Sequence, residues 1–403
     1  MSFQTGLSGL SASSRSLDVI GNNIANANTT GMKSSRAEFG DLIAATLGGS
    51  GSYGAGIGVA VNAVSQQFSQ GNITVTGNTL DVAINGSGFF QLTQPDGSLA
   101  YTRDGSFKLD KDGYIKNTTG ANLMGYPTDK VGNPTSVSAQ TLQLPTSAPI
   151  AASATTAVLA EFNLDARAPV AASLTPPTPR TTYGTSLTVY DSQGAQVPMS
   201  LYFERVTSTT TDNWDVYDVA TGGTPVFQMQ FDASGKLVAP VTSPTLTVTT
   251  PSVVTPNITA SIDITKITQF GSAFAVSNLS QDGYAAGELV SVNIGTDGVI
   301  TSRYSNGQTQ TSGQVALADF RNIQGLTPLG GNAWASTYAS GLAVQGSPGV
   351  GKFGVLRSGA LEESNVDLTS ELVNMMTAQR AYQANAQTIK TQDQIMSTLV
   401  NLR

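Results

Sequence analysis

Apolar positions recur at intervals of three and four at both ends of the chain, and nowhere for long between them. Near the N-terminus Phe3, Leu7, Leu10, Leu17, Ile20 and Ile24 keep this spacing, with Ser14 interrupting it. At the C-terminus Leu368, Leu372, Met375, Tyr382, Ala386, Ile389, Met396 and Val400 do the same. Ile395, Leu399 and Leu402 widen that stripe, while Gln379 and Asp393 break it. The period is helical and neither run contains Pro, so a helix is predicted at each end. The second spans about 35 residues, roughly 52 Å at ~1.5 Å per residue, and Asp367 stands at its N-cap position. Long helices without an intramolecular core are marginal in water. Two readings follow: the pair docks on one compact domain, or the ends become ordered when other copies cover them.

The chain between the ends reads differently. A short helical run is expected over Ala37 to Leu47, followed by a glycine-rich segment that reads as a flexible connector. Its glycines, Gly48, Gly49, Gly51, Gly54, Gly56 and Gly58, are the expected hinge. From about Val59 to Ile294 strands alternate with turn pairs: Asp96-Gly97, Asp104-Gly105, Asp112-Gly113, Asp282-Gly283, Asp297-Gly298 and Asn306-Gly307. Pro169 and the run Pro176-Pro177-Thr178-Pro179 punctuate a Thr-, Val- and Ser-rich stretch. The expected fold is mainly β with long α-helical termini that pair as a coiled-coil-like domain, and two nested β domains between them. The expected boundaries are 1–30 and 364–403 for the helical polymerisation domain, and 31–71 and 359–363 for the linker region. A middle β domain takes 72–147 and 285–358, with an outer β domain inserted over 148–284.

Composition narrows the function. Charged residues make up 12% of the 403 positions, with 20 basic against 27 acidic side chains and a net charge of −7. No basic cluster suggests a nucleic-acid groove, and no stretch approaches the ~18 apolar residues of a membrane span. The sequence holds no Cys and no His, so it lacks thiolate chemistry, the commonest general base and the commonest metal ligand. The start, Met1 to Leu7, lacks the basic and apolar regions of a cleaved secretory signal. Export, if it occurs, is expected by a route that needs none.

Candidate chemistry thins out on inspection. Gly49-Ser50-Gly51-Ser52-Tyr53-Gly54 matches a dinucleotide fingerprint, but no strand precedes it and no helix follows. Asp110-Lys111-Asp112-Gly113 starts like a calcium loop, yet Ala121 stands where the closing Glu is required. It reads as a hairpin turn. Ser and Thr nucleophiles have no His to activate them. Glu362 and Glu363 precede the last helix and are expected to face its positive N-terminal end. No catalytic, cofactor-binding or metal-ligating site emerges.

Three segments resemble the rod and hook axial proteins of the bacterial flagellum. The first runs Leu17 to Asn26, containing Asn22, Asn23 and Asn26, and continues through Thr30-Gly31-Met32-Lys33. The second runs Gly77 to Phe90, containing Asp81, Phe89 and Phe90; the third runs from Ser364 through Asn365 and Asp367 to the C-terminus. Length and the inserted β domain resemble the hook branch of that family. The resemblance implies a structural subunit that polymerises into a curved, flexible tube, the universal joint passing torque from rod to filament. It implies a hook location outside the cell, reached unfolded through the flagellar type III export apparatus. The implied partners are other copies of the chain, the distal rod, the hook cap and the hook–filament junction protein. The expected polymerisation interface is Leu7, Leu10, Leu17, Ile20 and Ile24 on the first helix. On the second it is Leu368, Leu372, Met375, Tyr382, Ile389, Met396 and Leu399. A straight distal-rod relative and a secreted β-sandwich adhesin are the alternative readings.

Overall fold

The computed structural model describes residues 2–43, 56–129, 132–145, 149–173, 177–208, 211–251 and 254–401. The chain is mostly β, with a long helix at each end. Helix α1 runs Ser2–Ala25 and α2 runs Leu368–Asn401, about 36 and 51 Å at ~1.5 Å per residue. The backbone forms two compact units. One comprises Met1–Ser147, Ser291–Arg303 and Thr309–Arg403, the other Ala148–Val290 and Tyr304–Gln308.

The first unit carries both helices. After α1, strand β1 (Ser35–Ile43) pairs antiparallel with β2 (Gly56–Gln66), Ser35 opposite Gln66 and Leu42 opposite Gly58. This ribbon corrects the helical run expected from Ala37 onward: the described part of that run is strand. Its mixed apolar and charged residues suit either period, and pairing with β2 decides the outcome. Gly56 and Gly58 are likewise paired strand residues, not connector. A Cβ on Gly58, at φ +143°, would lie 2.3 Å from the Ser8 hydroxyl of α1. Gly48, Gly49, Gly51 and Gly54, with the fingerprint-like segment, lie outside the described residues.

The sheet of this unit contains, in spatial order, Val299–Tyr304, Thr309–Val315, Asn122–Tyr126, Phe89–Thr93, Leu99–Thr102, Ala333–Ala335 and Thr327–Gly330. Phe89, Tyr101, Phe320 and Trp334 build an aromatic core with Phe68, all in edge-on contacts with centroids 4.7 to 6.1 Å apart. Two short ladders join the helix roots to this module. Val355–Ser358 pairs Val82–Asn85, and Ala360–Glu362 pairs Ile73–Val75. The turn pairs Asp96-Gly97, Asp112-Gly113, Asp297-Gly298 and Asn306-Gly307 each place a glycine at φ near +80° between paired strands. Asp104-Gly105 and Asp282-Gly283 do not make hairpins; both glycines are tightly approached, by Val82 O and by Thr155 respectively.

The second unit is a β-sandwich built from two five-stranded sheets. Strand Ala157–Asp165 buries every second residue, and Gln196–Val206 does so through Phe203, the signature of sheets with one face inward. Phe162, Met199, Phe203, Trp214, Met229 and Phe231 fill the space between them. Each such side chain contributes about 1.5–3 kcal/mol when removed from water.

Candidate polymerisation interface

The helix pair is antiparallel. Gly6 of α1 faces Ile389, Gly9 faces Asn385, and Asn23 reaches Glu371. Close approach is what the glycines supply: a Cβ on Gly6 would sit 3.1 Å from Ile389, and one on Gly9 3.0 Å from Asn385. Asn385 Nδ2 donates to the Ser13 hydroxyl at 3.4 Å. Another side of α1 rests on the β1–β2 ribbon, where Val59 N donates to the Ser8 hydroxyl at 3.3 Å. Between these contacts Ala12 and Ile20 are buried.

The residues of the sequence stripe therefore divide. Met375 and Ile389 are half-buried on the side of α2 that holds Glu371, Ala378 and Asn385. Leu10, Leu17 and Ile24 are half-buried, while Leu7 is 49% exposed. Leu368, Leu372, Tyr382 and Met396 turn outward with 38 to 54% of their surface free. Val373, Met376 and Ile395, which the periodic reading left off the interface, are equally uncovered. The side chain of Leu399 lies outside the described residues. One chain thus covers one face of α2 and leaves several large apolar side chains on it open to water.

The family-motif residues gather where the helices join the middle module. Asn23 clamps the start of β1: its Nδ2 donates to Ser35 O at 2.8 Å and its Oδ1 accepts from Ser35 N at 2.9 Å. Asn26 Nδ2 closes the last turn of α1 on Asn22 O. Gly31 sits at φ +68°, and a Cβ there would meet Asp104 N at 2.5 Å. Asn365 Oδ1 accepts from Ser34 N at 2.7 Å while its Nδ2 donates to Gln67 O at 2.7 Å. Asp367 caps α2, its Oδ1 accepting from Thr369 N and Ser370 N. Asp81 accepts from Thr76 and Asn78. Phe89 belongs to the aromatic core and Phe90 stands edge-on to Phe107 at 5.2 Å.

Sequence reasoning missed the centre of this knot. Glu362 does not face the end of α2; it is fully buried, with Lys33 and Arg103 on its two oxygens at 2.5 and 3.2 Å. Gly71 N donates to the same carboxylate at 2.9 Å, and Lys33 also donates to Ser69 O. The Arg103 guanidinium donates to Gly86 O and lies 5.3 Å over the Phe89 ring. Burial pulls the Lys33 amine below its ordinary value against the attraction of Glu362. The available signal was scarcity: in a chain this poor in charge, an ionic residue inside an apolar or glycine-rich run invites a buried partner.

An interface of uncovered helix faces mounted on β units defines the class: an assembly subunit that works through surfaces. Comparison with known proteins gives the class its family. Residues 3–33 match the profile for flagella basal body rod proteins, and 83–157 that for the flagellar hook protein FlgE/F/G D1 domain. Residues 163–284 match the flagellar basal body protein FlaE D2 domain, and 357–402 the flagellar basal body rod FlgEFG C-terminal profile. The chain is 42% identical over 420 residues to flagellar hook protein FlgE of Salmonella typhimurium, and 41% identical over 419 residues to that of Escherichia coli, covering all of each chain. Identity to the Rhizobium meliloti protein of the same name is 35%, over 99% of this chain and 98% of that one. The crystal structure of Helicobacter pylori flagellar hook protein FlgE2 superposes with a TM-score of 0.53 at 16% identity, over 72% of this chain and all of that one, a likeness of fold. The chain belongs to the flagellar hook protein family and is a structural subunit of the bacterial flagellar hook.

Proposed function

We propose that the uncovered faces of α1 and α2 are the surfaces through which copies of this chain polymerise, and that the product is the curved tube passing torque from rod to filament. One observation carries the reading. Both β units bury their cores, yet Leu368, Leu372, Val373, Met376, Ile395 and Met396 of α2 remain about half exposed. At about 25 cal/mol per Å² of apolar surface, two groups of such side chains, 368–376 and 395–396, are a strong drive to association. Two different faces on one subunit make contacts that need not close, so they extend into a helical filament. The role is structural, with no catalytic step. The outer sandwich, rich in hydroxyls and poor in charge, slides on water-bridged contacts as the tube bends. Export proceeds through the flagellar type III apparatus. The distal rod, hook cap and hook–filament junction protein meet the same end-helix surfaces.

Removing residues 1–30 and, separately, 368–403 tests this. Each truncated protein is expected to stay soluble and to form no filaments by electron microscopy, while its sandwich keeps the unfolding transition of the full chain. Filaments from either truncated form would refute the reading.

A further inference from the structure

We infer that Glu362 is a positioning residue that locks the roots of both helices onto the middle β module, making this knot the rigid part of the path along which load passes. The inference rests on the polymerisation reading above and assigns it a mechanical element.

The geometry is specific. One carboxylate receives Lys33 Nζ from the segment after α1, Gly71 N from the segment after β2, and Arg103 from the end of strand Leu99–Thr102 inside the middle sheet. Its own backbone adds two ties: Glu362 O accepts from Gly31 N at 2.8 Å, and the next amide, Glu363 N, donates to Asn72 O at 2.8 Å. Gly71 has no room for a side chain, since a Cβ would lie 2.0 Å from Glu363 O. Three segments remote in sequence therefore converge on the side chain of a fourth within a few ångströms.

The charge count makes the clamp asymmetric. Two cations, with 0 and 7% of their side chains exposed, share one fully buried carboxylate. Without Glu362, Lys33 would keep only Ser69 O, and Arg103 only Gly86 O and the charge of Asp319, two buried cations that have lost their shared carboxylate, which is strongly unfavourable. Without Lys33, the remaining Glu362–Arg103 pair is balanced. A role in simple packing would make no such distinction. Apolar side chains could fill the same space, but they would not dictate one register for four segments as directional, charge-assisted hydrogen bonds do.

The test compares Glu362→Gln, Glu362→Asp and Lys33→Met in the full-length chain by amide hydrogen exchange, and examines hooks built from them by electron microscopy. Glu362→Gln is expected to accelerate exchange at 31–35, 69–73 and 361–366 about tenfold or more, with strand 157–165 unchanged. Lys33→Met is expected to change the same amides less than about threefold, and Glu362→Asp, which keeps the charge but draws the carboxylate back from its partners, to fall between Lys33→Met and Glu362→Gln. Should Glu362→Gln fail to fold, the double variant Lys33→Met/Glu362→Gln, with one cation fewer to leave unpaired, is expected to fold. Equal effects of Glu362→Gln and Lys33→Met, or no recovery in the double variant, would overturn the clamp. Accelerated exchange with hooks of wild-type curvature and stiffness would overturn its place in the load path. Tight roots with no hooks at all would count against the polymerisation reading instead.

Discussion

At the scale of single residues, the roots of both helices are held by hydrogen bonds between positions far apart in the chain. Gly31 was legible as part of a motif; the reason for a glycine there, a φ of +68° pressed against the Asp104 backbone, requires a neighbour distant in sequence. The Lys33–Glu362–Arg103 group was illegible for the same reason, its members lying 329 and 259 positions apart. The Asp282 carboxylate is likewise held by groups 125 and 126 positions away, and it ties stability to pH. Burial works to raise the Asp282 carboxyl, but the Thr156 hydroxyl at 2.6 Å and the amides of Thr156 and Ala157 at 2.8 and 3.0 Å outweigh it and hold the group below its usual 3.8. A group lowered in the folded state stabilises fully above its unfolded value, and that contribution is lost as the pH falls through the folded value. In a Trp334→Phe background, Trp214 fluorescence reports the sandwich alone, since the chain has 2 Trp. Asp282→Asn is expected to lower the urea midpoint at neutral pH and to flatten its decline below about pH 4. An unchanged pH profile would remove Asp282 from the linkage.

At the scale of elements, period and turn chemistry carried most of the information. Both terminal helices were legible because an apolar repeat of three and four over many residues has no other regular solution. The sandwich strands were legible as alternation. The β1–β2 ribbon was not: Arg36, Glu38 and Asp41 scattered among apolar residues fit a helix or a strand, and only its partner and the contact with α1 decide between them. The pairs Asp104-Gly105 and Asp282-Gly283, whose glycines are buried, looked like hairpins because close backbone approach and a positive φ call for the same residue. The interface was legible in outline and misdrawn in detail, because sequence alone cannot say which part of a stripe the companion helix covers. Ile389 lies on the covered side, against Gly6, so its substitution acts on the pair itself. Ile389→Asp is expected to forfeit about 1 kcal/mol of burial, the share of a half-covered side chain, to reduce helical circular dichroism and to abolish filaments while the sandwich transition stays in place. Normal hooks from that variant would show that the α1–α2 contact is dispensable.

At the scale of the whole molecule, the chain divides its labour by burial. Two β units satisfy their own cores, and the end segments, tied to the first unit by a knot of buried charge, keep apolar surface for use elsewhere. The claim beneath it is that α2 finds in other copies the cover it lacks in its own chain. Methionine oxidation measures this directly, because a thioether reacts according to its access to solvent. Met376 and Met396 are 52 and 54% exposed in the single chain, while Met199 and Met229 are buried in the sandwich. The expected result is rapid oxidation of Met376 and Met396 in monomers and strong protection of both in assembled hooks, with Met199 and Met229 slow throughout. Equal reactivity of Met376 and Met396 in monomer and hook would contradict it.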